Sequence, residues 1–169
     1  MEIAIRTAQY AHFAALRAIE LAAFETLRKA GAVTGEAVAN SLEDFDEFNR
    51  NGLLLAAFIP ASVPVGFVAG KPEDRWLHIA EVDVHPDWQR RGIGRMLMQA
   101  ALSVAQQRGL AGATLTTDNL AAFNARFYAT LGFEIVDDHA GPPHLISHNV
   151  EEIRRGFNPA RRVAMQLKF

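Results

Sequence analysis

The chain has no cysteine. That absence excludes a disulfide framework, a thiolate nucleophile, an iron–sulfur cluster and a cysteine-based zinc site together. Charge of one sign is missing too: 17 Lys and Arg stand against 19 Asp and Glu, a formal net charge of −2. A nucleic-acid partner therefore has no overall electrostatic footprint to rest on. Long apolar runs are absent as well, since the longest, Leu53–Ile59, is too short to span a bilayer. The opening Met-Glu-Ile-Ala-Ile-Arg starts with an acid and alternates like a strand, unlike a signal peptide. No Gly-Lys-Ser or Gly-Lys-Thr occurs, so there is no P-loop. The expectation from these absences is a cytoplasmic protein with neither a membrane nor a nucleic acid as partner.

What is present is apolar side chain in quantity: half of the 169 residues are hydrophobic, enough for one core and one domain spanning residues 1–169. Residues 2–6 alternate with period two and predict a strand, after which Thr7 caps a helical stripe of Phe13, Leu16, Ala23 and Leu27. Gly31 and Gly35 interrupt it, and residues 36–50 read as a second helix carrying Val38, Leu42, Phe45 and Phe48. Three strands follow at 53–59, 63–70 and 76–84, the first two joined by Pro60, Ala61 and Ser62 as a hairpin. Ile93, Met96, Leu97, Ala100, Ala101, Val104 and Ala105 then match the helical template at every step and Gly109 stops them. A strand at 113–117, a helix marked by Leu120, Phe123, Phe127 and Leu131 and closed by Gly132, and strands at 133–137 and 163–169 complete the chain. Residues 138–159 hold Pro142, Pro143 and Pro159 and no clean period, which predicts an insertion or long loop with one helical turn near 150–155. The order β-α-α-β-β-β-α-β-α-β-β predicts an α/β (α+β) domain, a mixed sheet with helices on both faces.

Chemistry concentrates at Val82-Asp83-Val84-His85-Pro86-Asp87-Trp88-Gln89-Arg90-Arg91-Gly92-Ile93-Gly94, where a strand runs through a short loop into the best-patterned helix. A helix start offers four free N–H groups and the positive end of a dipole, a combination that favours phosphate. Gly92 and Gly94 clear side chains from the approach, and Arg90, Arg91 and Arg95 add positive charge, which together suit a pyrophosphate. A Rossmann fingerprint would need Gly or Ala where Leu97 stands.

Gln89-x-x-Gly92-x-Gly94 after a Val-x-Val-His-Pro strand resembles the acetyl-CoA pyrophosphate motif of the GNAT acetyltransferases. Asn124-Ala125-Arg126-Phe127-Tyr128-Ala129-Thr130-Leu131-Gly132-Phe133 resembles the family's second signature, and its wording is similar to that of a bacterial small-molecule branch. The resemblance covers residues 53–136 and implies a GNAT-like, mainly antiparallel sheet and an N-acetyltransferase with acetyl-CoA as co-substrate. It implies cofactor contacts from Val82, Val84, Gln89, Arg90, Arg91, Gly92, Ile93, Gly94, Arg95, Asn119, Asn124, Phe127 and Tyr128.

Of the catalytic roles the resemblance implies, Tyr128 takes that of general acid toward the CoA sulfur, a phenol of pKa about 10 facing a thiol near 8.5. For the base it implies a carboxylate or histidine on the strand before the loop, Glu81 ahead of His78. The two sit on opposite faces of an ideal strand, and the family's bulge would change that phase. The same bulge would splay the strands and free the backbone of Val82 and Val84 for the pantetheine amides, with a backbone N–H near Val82 polarising the carbonyl. Without cysteine, transfer goes by direct attack in a ternary complex.

His139, His144 and His148 have a spacing that begins a metal site on a helix, but Pro142 and Pro143 place them in a loop, so no metal is expected. Glu36, Glu43, Asp44, Asp46 and Glu47 make the second helix acidic, a solvated face that would also draw in a cationic amine. Phe24, Phe45 and Phe48 read as core, with an acceptor pocket as the other use. The leading reading is acetylation of a small primary amine. A protein or peptide N-acetyltransferase and a non-catalytic acyl-CoA-binding sensor stand beside it, and a homodimer is left open.

Overall fold

The computed structural model describes residues 2–31, 33–119, 125–137 and 140–169. The elements are β1 (Ala4–Thr7), α1 (Phe13–Lys29), α2 (Leu42–Asn51), β2 (Leu53–Ile59), β3 (Val63–Glu73), β4 (Trp76–Val84), α3 (Ile93–Gln107), β5 (Gly112–Asp118), α4 (Ala125–Ala129), β6 (Glu134–Val136), α5 (Pro143–Arg154) and β7 (Arg162–Lys168). The strands form one sheet in the order β1-β2-β3-β4-β5-β7-β6. Its pairs are antiparallel except β4–β5, which is parallel. No helix among the described residues is long and apolar enough to cross a membrane.

Two cores cover the two faces. On one, α3 packs Ile93, Leu97, Met98, Ala101 and Ala105 against Leu53, Ala57, Val68, Leu77, Ile79, Ala113, Leu115 and Met165, with Ala125 of α4 joining the same cluster. On the other, Phe13, Leu16 and Ile19 of α1 and Phe45 and Phe48 of α2 meet Leu54, Ala56, Phe58, Phe67 and Ala69. Each large side chain buried in this way contributes roughly 1.5–3 kcal/mol. The sequence pattern of α3 erred in one detail: Met96 lies exposed at the rim and Met98 takes the buried place.

Three expectations need correction. The second helix begins at Leu42 rather than residue 36, because Ser41 and Asp44 form a capping box: Ser41 Oγ accepts from Asp44 N at 3.1 Å and Asp44 Oδ2 accepts from Ser41 N at 2.8 Å. Ser41 is extended (φ −73°, ψ 168°), so the helix cannot continue back to Val38, which is exposed. The loop expected over 138–159 contains the twelve-residue helix α5. Its start is Pro143 at the first helical turn, where a missing N–H costs nothing. His144 and His148 therefore share a helix after all.

The helix marked by Leu120 to Leu131 is described only as Ala125–Ala129, and its predicted start lies outside the described residues. Strand β3 also runs three residues past the predicted end at Gly70, to Glu73.

Candidate active site

A bulge in β4 and the parting of β4 from β5 create the site. Ala69 of β3 pairs with Glu81 whereas its neighbour Gly70 pairs with Ile79, so Ala80 is the extra residue. Before the bulge Leu77 and Ile79 face the α3 core; after it Val82 and Val84 do. His78, Glu81 and Asp83 are thereby brought to the opposite face, the side of α1. The phase change leaves the two base candidates on one side of the sheet. The parallel pairing of β4 with β5 runs only from Trp76↔Gly112 to His78↔Thr114, and beyond it the strands diverge. A cleft of about 960 Å³ opens there, lined by Val82, Tyr128, Gly92, Glu20, His148 and Phe157 among others.

Carboxylates gather in its middle. Oxygens of Glu20, Glu81 and Asp83 lie within 4.8 Å of one another, close enough to surround a cation. Glu20 is buried, and Asn40 donates to both of its oxygens, from Nδ2 to Oε1 at 2.9 Å and from the backbone N to Oε2 at 3.0 Å. Burial and the neighbouring carboxylates push the carboxyls of Glu81 and Asp83 well above the ordinary range. Glu20 is raised by burial and held back by its bonds to Asn40. Burial first, then Asp83 and Glu81, push the Tyr128 phenol upward, so it keeps its proton at every pH at which the protein is used. Its ring meets Phe127 and Phe133 edge-on, with centroids 5.1 and 5.9 Å away.

At the other end of the cleft, the helix start is shaped by two left-handed residues. Arg90 has φ 62° and Gly92 φ 80°, and Gly92 is the N-cap of α3. Alternation of this kind turns successive N–H groups toward one point, the geometry of an anion-binding nest. A Cβ on Gly92 would meet nothing within 4 Å, and one on Gly94 only Phe127 at 3.7 Å, so the space before the helix is open. Gln89 Nε2 donates to Val84 O at 3.0 Å, tying the loop to the strand. Arg91 lies over the Trp88 ring and donates to Asp87 O at 3.2 Å, and Arg95 donates to Thr130 Oγ1 at 2.6 Å. Ile93 sends its side chain into the core, leaving only its backbone for a ligand. Asn119 is exposed and its N–H donates to Arg161 O at 2.6 Å. Asn124 lies outside the described residues.

The far wall is α5, fastened by polar ties to the sheet. Thr114 Oγ1 lies 3.0 Å from His78 Nδ1 and 2.7 Å from His144 Nε2, bridging the two imidazoles. His148 stacks on His78 (3.8 Å, 5°), and its Nε2 is 2.6 Å from Glu73 Oε1. Burial, then His148 and His144, lower the His78 imidazole to about 2, so it stays neutral. Lower down, Glu152 accepts from Thr116 Oγ1 at 2.5 Å and from Arg162 at 2.6 Å. Phe24 and Phe48 line the cleft and Phe45 is wholly core.

Asp83, Glu20, Glu152 and Arg162 escaped the sequence reading. Asp83 had a signal, since two acids two apart on a strand share a face. Glu20 and Glu152 had none, because they reach the site only through the packing of their helices.

Residues 14–133 match the model of the Acetyltransferase (GNAT) family. Among solved structures, an acetyltransferase of the GNAT family from Staphylococcus aureus Mu50 is 16% identical over 99% of this chain and 100% of its own, with a TM-score of 0.72. The PaiA N-acetyltransferase of Thermoplasma acidophilum, solved in complex with coenzyme A, is 18% identical over 100% of both chains (TM-score 0.69). The ribosomal-protein-S18-alanine N-acetyltransferase of Escherichia coli is 18% identical over 99% of this chain and 94% of its own (TM-score 0.69). At these identities the three likenesses speak for the fold.

Proposed function

Because the chain belongs to the GNAT acetyltransferase family, we propose that it moves an acetyl group from acetyl-CoA to the primary amine of a small molecule by direct attack in a ternary complex. The observation that carries the reading is the β4 bulge, which puts Glu81 and Asp83 on the cleft side next to Tyr128 while the strand leads straight into the Gly92 helix start. The PaiA enzyme solved with coenzyme A supports acetyl-CoA as the donor.

In this reading the nest at Arg90–Gly94 holds the pyrophosphate and the open edge of β4 at Val82 and Val84 receives the pantetheine arm. A backbone N–H near Val82 polarises the thioester carbonyl. Gln89 acts through the loop it ties to Val84. The amine nitrogen attacks the carbonyl carbon, and collapse of the tetrahedral adduct breaks the C–S bond. Glu81, directly or through water, takes the proton the nitrogen loses, and the Tyr128 hydroxyl meets the departing sulfur. A phenol held above its usual range gives up its proton reluctantly, so Tyr128 keeps its proton and stabilises the departing sulfur by hydrogen bonding; CoA leaves as the thiolate, and the amine's proton passes from Glu81 to solvent. Glu81 is preferred over His78 as base because burial and its carboxylate neighbours raise its proton affinity, whereas burial and the neighbouring imidazoles lower that of His78 to about 2. The acids around the acceptor end, with Glu73 and Glu151 beside those already described, favour a cationic acceptor.

Tyr128→Phe keeps the ring and removes the donor, so turnover falls about 10²-fold while acetyl-CoA binding barely changes. The measurement is release of CoA thiol over an amine panel. Undiminished turnover would make the tyrosine a packing residue.

A further inference from the structure

The buried face of α1 carries one charged residue. Glu20 lies among Phe13, Leu16, Ile19, Ala23 and Phe24, at a place where the helical period asks for another apolar side chain. A carboxylate there loses solvation that only good partners offset. One partner is good. Asn40, the residue before the Ser41 cap of α2, donates to both Glu20 oxygens, from its backbone N and from Nδ2. Two accepting oxygens suit the ionised form, since a protonated carboxyl spends part of its acceptor capacity on its own proton.

The other neighbours are of the wrong sign. Glu81 and Asp83 reach the same place from β4, with oxygens of the three acids within 4.8 Å of one another. Among the described residues no donor bonds the carboxylates of these two, and no cation forms an ion pair with any of the three. Arg17 of α1 and Arg155 after α5 act from a distance, Arg162 of β7 is taken up by Glu152 of α5, and Lys71 of β3 lies over the Phe48 ring. Tyr128 of α4 stands beside Asp83 and Glu81 as a neutral phenol. Like charges so close do not all ionise together. The two Asn40 donors settle the charge on Glu20, and protons fall to the β4 pair. In keeping with this, burial and then Glu20 raise Asp83, and burial, Asp83 and Glu20 in that order raise Glu81, both well above the ordinary range. Once ionised, such a carboxyl is the stronger base.

We propose that Glu20 is the fixed anion of the cleft and a positioning residue for the proton transfer: Asn40 holds its charge beside Glu81 and Asp83, and that charge makes Glu81 the acid that takes the amine's proton. The inference rests on the acetyl-transfer reading and adds to it the group that prepares the base. Asn40 acts only through Glu20.

The test reads the carboxyls directly. With the side-chain carboxyl carbons of Glu and Asp isotope-labelled, the Glu81 signal, assigned by its loss in Glu81→Gln, is titrated by NMR in protein without acceptor. Glu20→Gln is expected to lower the Glu81 midpoint by about one pH unit or more, because a like charge has left its side. The lower inflection of the kcat/KM profile against pH should move the same way, with the acetyl-CoA Kd unchanged. Asn40→Ala keeps the carboxylate, removes one of its donors and shifts both readings in the same direction by less. In the Glu20→Gln background Asn40→Ala should shift neither further.

A Glu20 that merely filled space would give another result: its replacement would lower Tm and leave the titration of the folded protein alone. Glu20→Gln takes a charge out of the interior, so Tm at neutral pH is expected to hold or rise. Should that variant not fold, the Asn40→Ala titration decides. A Glu81 midpoint that stays put or rises in folded Glu20→Gln would overturn the inference, and so would an Asn40→Ala shift that survives without the Glu20 charge. The titration needs no acceptor, so the two failures are distinguishable. A lowered midpoint in a protein that binds acetyl-CoA and transfers to no amine overturns the acetyl-transfer reading, and the role in proton transfer falls with it; an unshifted midpoint in an active enzyme overturns the inference and leaves that reading standing.

Discussion

The two ends of the cleft are built by different means. At the end proposed for the cofactor the determinants are backbone: two left-handed residues, a helix start and a strand edge, all within residues 82–94. At the end proposed for the acceptor they are side chains from α1, α2 and α5 and from the segments that follow α1 and α5, joined by contacts between residues as far apart as Ala30 and Arg161. A backbone site needs particular residues at particular spacings, because only glycine or a short turn gives the geometry. A side-chain site needs only that the packing bring the right groups together, and many sequences do that. Substitutions at the first end should therefore act on the donor alone, and at the second on stability and acceptor together.

The largest separation is expected at Gly94. A bulky residue there, Gly94→Phe, projects into the open space before α3 with only Phe127 near it, so the unliganded fold tolerates it. Acetyl-CoA affinity is expected to drop at least 100-fold, and the rise in Tm that acetyl-CoA gives the native protein should vanish. Gly92 is a less clean position, because its φ of 80° strains any other residue whatever the ligand does. Retained affinity in Gly94→Phe would put the pyrophosphate elsewhere and dissolve the contrast between the two ends.

This contrast also explains what could be read beforehand. The strand-loop-helix unit around Gly92 was legible because its glycines and arginines have few other uses in that order, and the bulge was foreseen through the family resemblance. Helix α5 was not legible. It buries little besides Leu145, while Ile146, Val150 and Ile153 remain partly exposed, so its apolar periodicity points away from the sheet. Its hold on the sheet is polar, through His144, His148 and Glu152, and polar ties have no period. Pro142 and Pro143 read as a loop although the second of them begins a helix. The capping box at Ser41 was written in the sequence as Ser-x-x-Asp, and the apolar Val38 and acidic Glu36 outweighed it.

Glu152 gives the middle-sized effect and tests the acceptor end. Arg162 is almost buried, and Glu152 is the partner that neutralises it, so Glu152→Ala leaves a cation without its counter-charge and costs about 3 kcal/mol. Chemical denaturation reads the loss. The released α5 wall should raise the acceptor KM several-fold while the acetyl-CoA Kd stays put. Replacing both partners together, Glu152→Leu with Arg162→Met, removes the stranded charge and should recover most of the stability without recovering the acceptor KM. Equal losses in donor and acceptor binding would mean that the two ends are a single unit.

The smallest effect is a pH dependence that sets the histidine cluster against the carboxylates. His78 binds a proton at about 2 in the folded protein and near 6.5 when unfolded, because burial and the imidazoles of His148 and His144 disfavour its charge. Between those values the unfolded chain holds the extra proton, so the His78 term falls as pH drops below about 6.5, by at most about 1.4 kcal/mol per pH unit. The carboxyls of Glu20, Glu81 and Asp83 are shifted upward on folding, so there the folded state holds the extra protons. Their contribution is full below the ordinary carboxylate range and is lost as pH rises through the raised values. Urea unfolding at pH 6.5 and pH 5 separates the two, using the native chain, His78→Gln and Glu81→Gln. His78→Gln has no imidazole to protonate on unfolding, so the native protein should lose about 2 kcal/mol relative to it across that interval. Glu81→Gln should lose stability relative to the native chain over the same drop, because it forgoes the protons the folded carboxylates take up. A native-to-His78→Gln difference that stays constant from pH 6.5 to 5 would mean that the imidazole charges inside the fold, and His78 would then return as a competitor to Glu81 for the amine's proton.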